Sequence, residues 1–376
     1  MGLLRVYLAL TVLLGHAPPG ILRPLMTSAQ AIETFFVISG FYMQLIIGQY
    51  ATTGNGWSMR FYASRMLRLF PLYYVTLVLT IAALLWIGDD LSDPESIRYR
   101  RARLDMHRVD TLFLYWFTNL FILGQDVMRF MLYDPDHGGR FYFAAYNTVN
   151  HASLYASGFH MVSQCWTVSL EIIFYLLAPF LLRLPTRWLT VLCLLSASLK
   201  YAIMSSSLPT QNIYWCKAFF PAELCSFLAG AIACRFRNNK LFIVEQTDSR
   251  RRYSGLLIGY ILISSTPIMT SPWMRYYLFA FVSAPLIPVL FNLSRDNRFD
   301  RFVGELSYPA YLIHFLIIGL LMEMKMRAYF IGIVATVLTL AFSAFLHYLI
   351  EVPIDSFRHR RFKTSPTLHV SHFTVQ

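Results

Sequence analysis

The sequence predicts an all-α fold: a polytopic membrane helical bundle of about ten transmembrane helices, with both termini cytoplasmic. Three observations carry that expectation. Hydrophobic residues make up 56% of the 376 residues and charged residues only 14%, with a mean hydropathy of +0.49, whereas soluble domains carry about 25% charge. Apolar stretches recur near 6–17, 31–50, 70–88, 166–183, 187–204, 213–234, 254–271, 273–293, 303–323 and 328–350, most of them close to the roughly 20 residues that a bilayer asks of a helix. With the N-terminus in the cytoplasm, the basic residues fall on alternate connections: Arg5, Arg60, Arg65 and Arg68, Arg183 and Arg187, Arg235 to Arg252, Arg295 to Arg301, and Arg358 to Lys363. That is the positive-inside pattern.

The run from Arg98 to Arg108 departs from the pattern, beside Asp89, Asp90, Asp93, Glu95 and Asp105. It belongs to the longest non-spanning region, 89–164, and long loops follow the rule poorly. Within that region, 111–124 is apolar but short and contains Asn119. It reads as re-entrant or interfacial, because a full span there would invert everything before it. Residues 1–356 therefore form one transmembrane domain, and 357–376 a basic cytoplasmic tail. The net charge of +12 reflects this topology, and nucleic acid is not an expected partner. The first apolar run resembles a signal peptide, but no small-x-small cleavage pattern follows it, so it is kept as helix one. The five cysteines form no CxxC, which argues against a disulfide framework or a metal site.

The first helix carries Arg5 and His16, separated by ten uncharged residues. Eleven positions is almost three turns, so both side chains fall on one face about 16 Å apart. Ionisable groups in a membrane helix usually face a bundle interior or a water path. A snorkelling anchor with an interfacial His is the alternative. The second helix, AIETFFVISGFYM, places Glu33 at headgroup level and the Ser39-Gly40 pair at its middle; Gly40 there permits close helix packing. At the entrance of the third, Arg65 and Arg68 stand one turn apart, a fork suited to phosphate or simple flanking charge. Glu171 lies about five residues into a span, one turn from Thr167 and Tyr175, where a carboxylate needs a partner or a neutral form. Ser307, Tyr311 and His314 form a polar stripe that lines a cavity or glues helices together. His347, and the loop histidines His107, His137, His151 and His160, carry no comparable signal.

Taken in order, Arg5-x10-His16, FFVISGF at 35–41, RMLRLFPLYY at 65–74, WTVSLEIIFYLLAP at 166–179 and SYPAYLIH at 307–314 resemble the acyltransferase-3 family of integral membrane acyltransferases. Those proteins modify bacterial surface and secreted glycans such as O-antigens, exopolysaccharides and nodulation factors. Family members usually have WSL where this chain has Trp166 to Leu170, and 125–164 matches no part of the pattern. The resemblance implies a membrane O-acyltransferase in the bacterial inner membrane. Acyl-CoA, most simply acetyl-CoA, would be the donor substrate, a carbohydrate or lipid-linked glycan the acceptor, and no cofactor would be permanently bound. It implies that His16 is the catalytic base or relay, that Arg5 helps position the donor, and that Arg65 and Arg68 meet the phosphates of coenzyme A.

Residue chemistry allows these roles. An imidazole titrating near neutral pH can take a proton from a sugar hydroxyl as it attacks a thioester. Glu171 could hold the His16 tautomer as a second catalytic group, and Glu33, Ser39, Tyr311 and His314 are candidate substrate contacts. No Ser or Cys stands out as an acyl-enzyme nucleophile, so direct transfer is simpler, with an acyl-His16 intermediate left open. Two other readings compete: a transporter or flippase for lipid-linked sugars, since transporters also bury His, Glu and Arg, and a glycan polymerase or ligase with a large external loop. Inverted repeats of the transporter kind are not visible.

Overall fold

The computed structural model describes all residues except 51–55, 88–93, 136–137, 144–152, 206–211, 240–248, 271–273 and 362–376. Most of the predicted tail lies outside the described residues. Helices α1 (Gly2–His16), α2 (Ser28–Tyr50) and α3 (Trp57–Ile87) come first, then the short α4 (Pro94–Leu104) and α5 (Val109–Phe121). There follow α6 (Trp166–Leu181), α7 (Thr186–Ser205), α8 (Asn212–Ala218), α9 (Phe220–Arg235), α10 (Ser249–Ser264), α11 (Pro267–Thr270), α12 (Phe279–Ser283) and α13 (Leu286–Ser294). Helices α14 (Arg298–Glu305), α15 (Ser307–Glu323), α16 (Ala328–Leu346) and α17 (Val352–Arg361) complete the chain, with a π-helical turn at His347–Glu351 between the last two.

Six runs among the described residues are long and apolar enough to cross a membrane: Ser28–Tyr50, Trp57–Ile87, Ser163–Leu181, Thr186–Ser205, Arg298–Glu323 and Ala328–Arg358. Helix α1 and the run Phe279–Ser294 are apolar but shorter. The difference from the ten expected has local causes. The 213–234 stretch breaks at Phe219, and Pro221 opens α9, where its missing N–H costs nothing. Helix α10 ends at Ser264, ahead of Pro267. Helix α3 instead starts well before residue 70, so Arg65 and Arg68 sit inside a helix rather than in the preceding loop.

The all-α expectation needs one correction. A small antiparallel sheet of β1 (Met131–Asp134), β2 (Arg140–Phe143) and β3 (Leu154–Tyr155) has the order β2-β1-β3, with Leu132 opposite Tyr142 on one side and Tyr155 on the other. Gly138 and Gly139, at φ of 88° and 60°, supply the left-handed backbone such a connection needs. With α4 and α5 this sheet builds a second core around Met106, Tyr115, Met128, Tyr133 and Phe159. Asn119, the polar residue inside the 111–124 stretch, is fully buried. Its side chain donates to Tyr115 O at 2.9 Å and accepts from Met161 N at 2.8 Å. With 13 residues, α5 is about 20 Å long, short of the roughly 30 Å hydrocarbon core. Beside it, His160 Nε2 rests 3.3 Å from Met128 Sδ. Burial, with Arg129 nearby, pulls this imidazole down to about 3, so it is neutral. His107 sits exposed against Asp105 O at 2.6 Å, while His137 and His151 lie outside the described residues.

Two seams organise the main core. In the first, α2 meets α9 backbone to backbone: a Cβ on Gly40 would lie 1.8 Å from Phe227 O, and one on Gly230 1.9 Å from Val37 O. Gly40 is thus a packing residue, as read from the sequence. Phe36 and Phe174 stack on Phe227 at 4.7 and 4.5 Å. In the second, α1 packs on α14, α15 and α16, with Gly2 pressed against the backbone of Asp300. The Asp300 carboxylate accepts from Gly2 N at 2.7 Å and Leu3 N at 2.9 Å. That satisfies orphan N–H groups of α1 and opposes its dipole.

Candidate active site

Helix α1 sets the frame of the site. Arg5 and His16 lie on one unbroken helix, about 16 Å apart at 1.5 Å per residue, and each end gathers a different set of groups. At the Arg5 end, three guanidiniums come together from two helices. Arg5 interacts electrostatically with Arg68, Tyr42, Glu351 and Glu305. Arg65 does so with Tyr175, Arg68, Tyr50 and Glu171. Arg68 in turn faces Asp355, Glu351, Tyr175 and Glu305, and lines a groove with Pro71, Ile350 and Ile354. Arg65 is 7% exposed, and its Nε has no hydrogen-bond partner. A buried, unpartnered guanidinium N–H beside a second arginine is a ready donor to an incoming oxyanion.

Glu171 belongs to this end. Its Oε1 accepts from Ser39 Oγ at 2.7 Å and Tyr175 OH at 2.6 Å, and its charge falls on Arg65. None of the described contacts joins it to His16, whose Nδ1 lies 2.8 Å from Val12 O. The main chain of α1, rather than a carboxylate, therefore fixes the His16 tautomer. Ser39, a candidate substrate contact, has its hydroxyl proton committed to Glu171.

At the other end His16 is exposed and lies against His314, with ring centroids 5.5 Å apart, and Phe315, at 4.5 Å. Tyr311 completes the stripe: its hydroxyl meets Thr167 Oγ1 at 2.7 Å and donates to Gln164 O at 3.2 Å. Gln164 reaches back to Leu312 O. The stripe on α15 thus both ties α6 to α15, through Tyr311, and faces the catalytic candidate, through His314. Arg129, stacked 4.6 Å over Trp166, and Lys217 both act electrostatically on His16. The sequence reading passed over both cations, which come from the sheet subdomain and from α8.

Glu33 is buried inside the bundle rather than facing its surroundings. It is 4% exposed and accepts from Lys200 Nζ at 2.6 Å and Ser226 Oγ at 2.6 Å. Lys200, itself fully buried, also holds Glu223 at 2.8 Å. The cluster ties α2, α7 and α9 together and commits both Glu33 oxygens to protein partners. A lone Lys in the apolar 187–204 stretch was the signal available in the sequence. Removing one partner of a buried pair leaves uncompensated charge. Lys200→Met is expected to destabilise the protein by about 3–5 kcal/mol, seen as an early thermal unfolding transition in detergent; an unchanged transition would show that the cluster contributes little. His347, unremarkable in the sequence, bonds Glu351 at 2.8 Å and approaches Glu305 at 3.3 Å.

Membrane-length apolar helices thus frame an arginine cluster at one end of α1 and an exposed imidazole at the other. The chain matches the model of an acyltransferase domain over residues 1–352, and it belongs to the acyltransferase-3 family; it is a membrane acyltransferase. It is also similar to nodulation protein 10 of Rhizobium leguminosarum bv. viciae, 26% identical over 387 residues that cover 95% of this chain and 93% of that protein. No solved structure matches the chain.

Proposed function

We propose that this protein moves an acyl group, acetyl first among the candidates, from acyl-CoA to a hydroxyl of a cell-surface or secreted carbohydrate. The observation that carries the reading is the division of α1: an anion-binding arginine cluster at one end and an accessible base about 16 Å away at the other. A donor whose phosphates rest on Arg5, Arg65 and Arg68 can extend its acyl arm along the bundle toward His16. His16 Nε2 takes the proton of the acceptor hydroxyl while the oxygen attacks the thioester carbonyl, and the thiol leaves. Direct transfer needs no acyl-enzyme. A glycan acceptor is what membership of a family that modifies surface and secreted glycans supports.

The proposed topology has ten spans, adding α1, α9, α10 and the α12–α13 run to the six long ones, in the inner membrane of a bacterium. Both termini are cytoplasmic, 89–164 lies outside and 357–376 is a cytoplasmic tail. Alternation puts Arg5, Arg65, Arg68 and Asp300 on the cytoplasmic side; the proximity of Arg68 to both Arg5 and Arg65 and the hold of Asp300 on Gly2 and Leu3 support that reading. Membrane lipids surround the bundle, and nucleic acid plays no part.

Transfer of label from radiolabelled acetyl-CoA into glycan, in membranes from cells making the protein, tests the reading. Labelled glycan is expected. No label from acetyl-CoA or succinyl-CoA, together with uptake of lipid-linked sugar into vesicles, would favour the flippase reading instead. In the same assay Glu171→Gln is expected to raise the donor KM about fivefold, the worth of one modest interaction, with kcat little changed, because Glu171 sits beside Arg65. A fall in kcat at constant KM would return Glu171 to the base.

A further inference from the structure

We propose that His314 is a positioning residue for His16, accepting in a hydrogen bond the proton that His16 takes from the substrate hydroxyl. The inference rests on the acyl-transfer reading above. His314 is fully buried, and its Nδ1 lies 2.8 Å from Tyr311 O. A carbonyl only accepts, so that nitrogen carries the N–H. A neutral imidazole has one N–H, so Nε2 holds a lone pair. Among the described residues no donor reaches it, and a buried acceptor without a partner is costly. The same logic fixes His16, whose Nδ1 faces Val12 O at 2.8 Å.

Both rings therefore present a bare Nε2, their centroids 5.5 Å apart, and both pack on Phe315, at 4.5 and 4.8 Å. Two acceptors side by side make no bond to each other; one added proton makes one, directly or through a water. The reaction supplies that proton. The acceptor O–H breaks and an N–H forms on His16 Nε2, while the oxygen bonds to the thioester carbonyl carbon. The C–S bond then breaks with its electron pair on sulfur. His314 Nε2 shares the imidazolium N–H with the substrate in a bifurcated hydrogen bond until the proton passes to the thiolate, which restores both neutral rings. The charged groups facing His16 are Arg129 and Lys217; Glu171 faces Tyr311, and Tyr311 and Thr167 are neutral neighbours. Two cations make an isolated imidazolium expensive at this site, and an unused acceptor on the neighbouring ring offsets that cost.

Two substitutions isolate the nitrogen. His314→Asn keeps a donor near the Nδ1 position and removes Nε2; His314→Gln places an amide oxygen near Nε2. In membranes supplied with acetyl-CoA, His314→Asn is expected to lower kcat about 10- to 100-fold, the worth of one hydrogen bond to a charged group. The donor KM stays unchanged, and His314→Gln restores most of the loss. Full activity in His314→Asn, or equal losses in both variants at wild-type abundance, would overturn the proposal. Ring-nitrogen NMR of histidine-labelled, donor-free protein gives a second readout. Protonated Nδ1 and bare Nε2 are expected on both residues, and an Nε2–H on His314 overturns the proposal whatever the activity. Absence of transfer by the wild type would instead remove the acyl-transfer reading, and the NMR result would still decide the pairing.

Discussion

Replacing His16 with alanine is expected to cut acyl transfer by about 100- to 10,000-fold, the usual contribution of a positioned general base, while binding of the donor persists. The separation of effects follows from the geometry: His16 stands at the exposed end of α1, away from the arginines at the other end. Because the ring is exposed, its removal leaves no buried cavity, and the variant should accumulate at the wild-type level. Label transfer from acetyl-CoA in matched membranes is the measurement. Equal labelling by wild type and His16→Ala would remove His16 from the chemistry and move the search to His314.

The second large effect is expected at the donor end. The double variant Arg65→Ala/Arg68→Ala should weaken coenzyme A binding by about 100-fold or more, since each charge-assisted contact to phosphate is worth roughly 1.5–3 kcal/mol. Calorimetry on detergent-solubilised protein reads this directly. The arginine-to-lysine pair keeps the charge and loses the planar fork, so it should fall between wild type and the alanine pair. Binding unchanged in both would show that the arginines serve only as flanking charge. Arg65 lies buried beside Glu171 and Tyr175, so the lysine pair also guards against a loss that is merely structural.

What the sequence made legible was whatever one helix holds within itself. The spacing of Arg5 and His16, the turn between Arg65 and Arg68, and the stripe from Tyr311 to His314 are properties of 3.6-residue periodicity, and the structure keeps each of them. What it hid were partners from distant segments. Glu33 looked like an interfacial carboxylate because its cation, Lys200, is 167 residues away. For Glu171 the sequence left His16 and an arginine of another helix as partners, and it could not show the Ser39 hydroxyl that holds the carboxylate, which is 132 residues off. Helix boundaries were blurred for a different reason: hydropathy averages over Phe219 and Pro267, whereas the backbone breaks there. The sheet at 131–155 escaped because its strands are two to four residues long, too short to show alternation.

The glycine contacts between α2 and α9 also say where this molecule can breathe. With Phe227 O and Val37 O occupying the space that side chains on Gly40 and Gly230 would fill, the two helices are locked like teeth of a zip, and Lys200 adds α7 to the clasp. Sliding along that seam would drive carbonyl oxygens into α-carbons. Helix α1 is pinned in the same way at its Arg5 end, where Gly2 meets the Asp300 backbone, whereas toward His16 its contact with α15 and α16 runs through Leu13, Ile318, Leu321 and Ile331, flexible side chains that can re-seat. The α2–α9 seam and the Arg5 end of α1 are therefore fixed walls, and the His16 end is the part left free to yield as an acceptor enters and a thiol departs.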